Sequence, residues 1–246
     1  MAKTEKGLIF ALDADSLNQA LEWAERLRNY VSGFKIGAQF FTRVGLQAVK
    51  LIREAQSRVF LDLKFHDIPF TVEEAAYETA RMNIWMFNVH CSGGKEMMQR
   101  AVRGAERGAK EIGKERPKIL GVTILTSLSD SDLEQIGFKY HTRDQALQLA
   151  RLALEAGLDG IIASPKEAQL LRKELGKNFL IVCPGIRLEP AQNEDQKRVS
   201  GPKEAIRAGA NYLVVGRPIR DAKDPAATAR MILDEIQSAV ADAPKL

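Results

Sequence analysis

The sequence predicts an α/β fold, a single (β/α)8 TIM barrel that takes residues 1–246 as one domain. Three observations predict it. Eight short runs of β-branched, aromatic and aliphatic residues alternate with segments of helical period, without a linker or a break in composition. A length of 246 residues is ordinary for one such barrel and long for an average domain. Polar residues recur at the carboxyl end of nearly every run, which is where this architecture builds active sites. The alternative is a doubly wound open sheet. It would use fewer strands or a second domain, and the first turn, Asp13-Ala14-Asp15-Ser16, has no Gly-x-Gly phosphate fingerprint.

Residues 7–12 form the first strand and end at Asp13, with Ser16 the N-cap of a helix to about residue 30. Residues 34–37 are a short second strand carrying Lys35, and Leu46, Val49, Leu51 and Ile52 give a helix over 45–55 its apolar face. The third strand, 59–65, lies within FLDLKFHDIP at residues 60–69, and Pro69 opens a helix to about residue 82. A fourth strand at 85–90 ends in Asn88-Val89-His90, and Gly93-Gly94 leads into a helix to about residue 112. The fifth strand, 118–125, runs into Thr126 and Ser127; a short helix at 130–136 precedes a full one at 143–156, which Gly157 stops. Residues 160–163 are the sixth strand, before the helix that starts at Pro165, and 179–183 the seventh, ending in Pro184-Gly185-Ile186-Arg187. Residues 188–200 are polar, lack apolar periodicity and are long for a connection, which marks a functional segment. A short helix at 203–208, a strand at 212–215 ending in Gly216-Arg217-Pro218 and a helix at 225–240 complete the pattern.

Composition narrows the function classes. The chain is 45% hydrophobic and 28% charged, as expected for a globular protein with a proper core. The net charge of +4 is spread among helical Glu and Asp, with no dense basic tract and no aromatic interleaving, which argues against nucleic acid. It suits an anionic small molecule. Cys91 and Cys183 do not make a disulfide framework. No apolar run reaches membrane-spanning length, and the start of the chain shows no signal-peptide core, so the expectation is a cytoplasmic enzyme without a membrane partner.

The chemistry concentrates in the third strand. Alternation puts Asp62 and Lys64 on one face and Leu61, Leu63 and Phe65 on the other, under the helices. The charged pair then faces the barrel interior, where ionised groups are costly and usually persist for chemistry. A lone Asp-x-Lys is more often a salt-bridged strand end. Here Asp13, Lys35, His90, Thr126, Ser127, Arg187, Gly216 and Arg217 fall at other exits of the same barrel. Gly185 and Gly216 free backbone N–H groups for close approach, and Arg187 and Arg217 supply forked donors at adjacent exits, the usual place for a phosphate in this fold. His66, His90 and Cys91 fit no zinc spacing, so no metal is expected, and Cys183, Trp23 and Trp85 read as core.

Taken together these residues resemble a known family. FLDLKFHDIP resembles the Asp-x-Lys-x-x-Asp signature of bacterial-type orotidine 5′-phosphate decarboxylases. Ala11-Leu12-Asp13, Lys35-Ile36-Gly37, Asn88-Val89-His90, Leu125-Thr126-Ser127, Pro184-Gly185-Ile186-Arg187, Asp195-Gln196 and Val215-Gly216-Arg217 resemble its other blocks, in order. The match spans nearly the whole chain, and only the helices and the stretch after Ser127 look individual. The resemblance implies conversion of orotidine 5′-phosphate to UMP and CO2 in pyrimidine biosynthesis, without metal or cofactor, by a homodimer with shared sites. It implies that Lys64 protonates C6, that Asp62 sits beside the departing carboxylate, and that Lys35 holds that array and a ribose hydroxyl. Asp13 and the neighbouring subunit's Asp67 and Thr71 would bind ribose, and Asp67 would join Lys64, Asp62 and Lys35 in the catalytic set. Thr126 or Ser127 would meet the pyrimidine, and Arg187, Gln196, Gly216 and Arg217 the phosphate. Against a Schiff-base lyase, which needs a neutral amine, acidic neighbours favour a charged Lys64. Sister sugar-phosphate enzymes that work on magnesium are a further alternative, as is a non-catalytic phospho-ligand-binding barrel.

Overall fold

The computed structural model describes residues 7–188 and 200–242. Its strands are β1 (Gly7–Ala11), β2 (Gly33–Gly37), β3 (Val59–Phe65), β4 (Met86–His90), β5 (Lys118–Val122), β6 (Gly160–Ile162), β7 (Leu180–Cys183) and β8 (Tyr212–Val215). They pair in parallel in sequence order and close, β8 on β1, into a barrel. The helices are α1 (Leu17–Leu27), α2 (Ala38–Val44), α3 (Leu46–Glu54), α4 (Pro69–Arg81), α5 (Gly94–Glu111) and α6 (Asp130–Gln135). They continue with α7 (Thr142–Glu155), α8 (Pro165–Leu175), α9 (Pro202–Arg207), α10 (Arg217–Arg220) and α11 (Pro225–Ala241).

The expected helix starts follow local chemistry. The Ser16 side chain accepts from the Gln19 N–H, and Pro69, Pro165, Pro202 and Pro225 occupy first-turn positions whose N–H has no intrahelical acceptor. Three expectations change. The helix expected over 45–55 is α3, but an unexpected helix, α2, precedes it directly after β2, and Gly45 turns the chain between the two at φ 61. The fifth strand stops at Val122, because the Thr123 hydroxyl and N–H both bond to the Ile162 carbonyl and turn the chain there. The single turn of α10 follows Gly216 where no helix was expected.

Two apolar layers hold the barrel. The outer one packs Phe10, Phe34, Ile36, Leu61 and Phe87 under alanine-lined helix faces, and Leu63 and Phe65 lie at its edge. The inner one, with Ile9, Phe60, Met86, Leu120, Val182, Tyr212 and Val214, plugs the interior. Trp85 closes the amino-terminal end, edge-on to Tyr212 at 5.0 Å and under the Arg58 guanidinium at 4.1 Å, and Trp23 packs on Phe10 at 5.5 Å. Both tryptophans are therefore packing residues. With the bottom filled, only the carboxyl-terminal mouth is left for a ligand. No helix among the described residues is long and apolar enough to cross a membrane.

Candidate active site

The mouth holds a cavity of about 550 Å³, within the usual range for a small-molecule site. Asp13, Lys35, Asp62, Lys64, Thr126, Ser127, Arg187, Gly216 and Arg217 all line it. Nine residues singled out in sequence thus meet in one space. Gln196 lies outside the described residues, as does most of the 188–200 segment. The described feet of that segment are joined: the Arg187 N–H donates to the Ser200 carbonyl at 3.1 Å.

At the centre is Asp62, buried and contacted from three strands. Its Oδ2 lies 3.1 Å from the Lys35 ammonium on β2. Its Oδ1 lies 2.6 Å from the Lys64 ammonium and accepts from the Asn88 amide on β4 at 2.7 Å. Burial opposes ionisation of Asp62, but the Lys35 and Lys64 ammoniums and the hydrogen bonds from Lys64 and Asn88 outweigh it. They hold the carboxyl below its usual range. The cluster carries a net positive charge, and Lys64, with 34% of its side-chain surface open, presents that charge to the cavity.

The backbone beneath is irregular. Alternation runs from Val59 to Asp62; the β3–β4 register then slips between Leu61 and Phe65, and Lys64 takes φ 53. A residue with a Cβ in the left-handed region costs about 1–2 kcal/mol. Lys64 reaches the same face as Asp62 through this bulge, where simple alternation had placed it by pleat alone. Next to it, Gly37 makes room for Lys35: a Cβ there would sit 2.8 Å from the Lys35 Nζ and 3.5 Å from Asp13 Oδ1.

Across the ring from β3, the exits of β7 and β8 carry Arg187 and Arg217, each following a glycine at one remove or directly. Between these ends the wall is aliphatic, with Ile124, Leu125, Ile162, Val182 and Val214, flanked by Thr126 and Ser127. The shape suits a ligand with an anionic end, a flat less polar body and a reacting atom at Lys64.

Asp67 and Thr71 are elsewhere. Both are exposed in a side crevice, lined also by His66 and Val72, that shares Lys64 with the mouth. Asp67 Oδ1 accepts from the Ile68 N–H at 2.6 Å, and among the described residues the ion pair of Lys64 is with Asp62 alone. Beside them Ile68 and Phe70 are each 66% exposed.

His66 and His90 lie ring to ring at 5.3 Å. Burial, then the charges of His66 and Lys64, hold His90 below the usual imidazole range. No group of three His, Cys, Asp or Glu able to hold a metal ion occurs among the described residues. Cys91 and Cys183 are buried, and burial raises both thiols, Cys91 to about 12. They are core residues.

Sequence reasoning missed Asn88, Gln39 and Arg220. Asn88 was visible as an amide in an apolar strand, on the same face as Met86 and His90. Gln39 and Arg220 line the cavity from α2 and α10, the two helices that the sequence pattern did not show.

Residues 6–232 match the family model described as "Orotidine 5'-phosphate decarboxylase / HUMPS family". The chain is 49% identical over 231 residues to an orotidine 5′-phosphate decarboxylase of Geobacter sulfurreducens, covering 94% of this chain and 96% of that one. With an orotidine 5′-phosphate decarboxylase of Syntrophotalea carbinolica it shares 46% over 240 residues, 98% of each. The crystal structure of orotidine 5′-phosphate decarboxylase from Lactobacillus acidophilus superimposes with a TM-score of 0.83 at 35% identity, over 94% of this chain and 99% of that one.

Proposed function

The chain belongs to the orotidine 5′-phosphate decarboxylase / HUMPS family, and on that premise we propose that it converts orotidine 5′-phosphate to UMP and CO2 in pyrimidine biosynthesis. It does so as one barrel domain, in the cytoplasm, without metal or cofactor. The observation that carries the proposal is the Lys35–Asp62–Lys64 array facing Arg187 and Arg217 across one cavity.

Loss of CO2 from C6 leaves a carbanion in the ring plane, with no π-system to share it. Its stabilisation must come from a charge already in place. Lys64 supplies that charge and then the proton. Asp62 would sit beside the departing carboxylate, and two like charges ~4 Å apart cost about 4 kcal/mol at an effective dielectric near 20. A reaction of this difficulty needs more than ~20 kcal/mol of barrier lowering, so expulsion of the carboxylate is a minor part. Most must come from the fixed ammonium and from phosphate binding that positions the ring. Lys35 holds Asp62 and a ribose hydroxyl, with Asp13. Thr126 or Ser127 meets the pyrimidine; Arg187, Gln196, Gly216 and Arg217 meet the phosphate. A carboxylate already shared by two ammoniums is a poor cation ligand, which supports the metal-free reading over the magnesium enzymes of the wider family.

The homodimer belongs to the same proposal. Asp67 and Thr71 lie outside their own cavity, beside the exposed Ile68 and Phe70, which suits an edge that completes a neighbour's site.

The test is the loss of orotidine 5′-phosphate absorbance with chelator present. Undiminished turnover is expected. A substrate left intact would defeat the proposal, and turnover restored only by magnesium would favour the sister enzymes. Arg217→Ala should cut turnover of the nucleotide by at least about 100-fold, as for a charged donor to a remote binding group, and barely change that of orotidine. Equal losses on both substrates would move Arg217 off the phosphate. Gly37→Ala should lower turnover about 10- to 100-fold by displacing the Lys35 ammonium, while leaving the melting temperature unchanged or higher. Unimpaired turnover would mean that Lys35 finds an equivalent position.

A further inference from the structure

We propose that Asn88 is a positioning residue that fixes the Lys64 ammonium from both ends. Asn88 is fully buried, and its amide is used twice: Oδ1 accepts from the Lys64 backbone N–H at 2.8 Å, and Nδ2 donates to Asp62 Oδ1 at 2.7 Å. A carboxylate can only accept and a backbone N–H can only donate, so the amide has one orientation. The same Asp62 oxygen receives the Lys64 ammonium at 2.6 Å. One side chain therefore holds the point from which Lys64 springs and the atom on which it lands.

The strand geometry explains why such a clamp is needed. Phe60 and Leu61 pair with Met86 and Phe87, but the next pairing is Phe65 with Val89. Between them β3 has three residues, Asp62, Leu63 and Lys64, where β4 has only Asn88. The ladder cannot supply an acceptor for every N–H of the bulge. The Asn88 carbonyl oxygen takes the place of a backbone acceptor at the residue with φ 53. A lysine has four rotatable side-chain bonds, so an unanchored one would sample many positions; tying its N–H and its counter-ion to one rigid amide removes most of them.

This inference rests on the decarboxylase reading for its kinetic readout only. Asn88→Ala removes both bonds. Asn88→Asp, of the same size, keeps the acceptor for Lys64 and, when ionised, turns a like charge instead of a donor toward Asp62, and it carries the test should the alanine variant not fold. Amide exchange at Lys64 should be at least about tenfold faster in Asn88→Ala and near wild type in Asn88→Asp. In both variants kcat should fall by about 100-fold, as for a reacting group misplaced by an ångström, with the affinity for UMP within about threefold of wild type. A purely structural asparagine would lower UMP affinity and kcat together, and that result would overturn the proposal. So would a kcat within threefold of wild type in Asn88→Asp across a pH profile that includes the ionised form of the new carboxyl. A wild-type chain inactive on orotidine 5′-phosphate would defeat the decarboxylase reading instead, and Lys64 exchange unchanged in folded Asn88→Ala would still reject the clamp.

Discussion

Lys64→Ala should lower turnover of orotidine 5′-phosphate by at least about 10⁴-fold, because the substitution removes a proton donor and a preorganised cation at once. General acids contribute about 10²–10⁴ and a single preorganised donor about 10²–10³. The fold should survive. Without Lys64, Asp62 keeps the Lys35 ammonium at 3.1 Å and the Asn88 amide at 2.7 Å, so no charge is left buried alone. A change within about 1 kcal/mol would move the melting temperature of a chain this size by about 2–4 °C. Calorimetry and the absorbance assay on one preparation check both halves. Turnover above about 1% of wild type in the variant would place the donor at another group.

The second large effect concerns two subunits. Asp67→Ala and Lys64→Ala should each be nearly inactive alone, yet regain activity on mixing. If each site takes Lys64 from one chain and Asp67 from the other, a heterodimer has one site with both lesions and one intact. Free exchange at equal amounts then gives half of wild-type activity per heterodimer and about a quarter per total site. Native mass spectrometry would report the exchange. Heterodimers without recovered activity would return Asp67 to its own subunit and remove the reason for an obligatory dimer.

Much of this was legible in the chain, and the rest was hidden for physical reasons. The bounds of β3 and β8 coincide with the runs at 59–65 and 212–215, short segments rich in β-branched and aromatic residues. Asp62 and Lys64 were placed on one face by alternation. The bulge that accomplishes it was invisible, because the extra residue in a strand pair belongs to the pairing and not to either sequence alone. Helix α2 went unseen because Gly37 supplies no side-chain cap and Gly45 broke the pattern just after it. Asn88 reads in sequence as one more polar residue at a strand end. Its work lies in two contacts to a neighbouring strand, 24 and 26 residues away in sequence.

The contact between α4 and α5 has a consequence of inheritance. A Cβ at Gly104 would overlap the Glu73 carbonyl, and one at Gly108 the Tyr77 carbonyl, so the two helices touch main chain to main chain. Helix α4 starts two residues after Asp67 and carries Thr71. On the shared-site reading, a bulkier residue at Gly104 would tilt the ledge that the adjoining subunit borrows, while its own barrel mouth kept its shape. The damage would then appear in the other chain. In a cell with two alleles, a packing defect of this kind would be felt by the normal product as well as by the altered one, and its dominance would follow from which helix it touched.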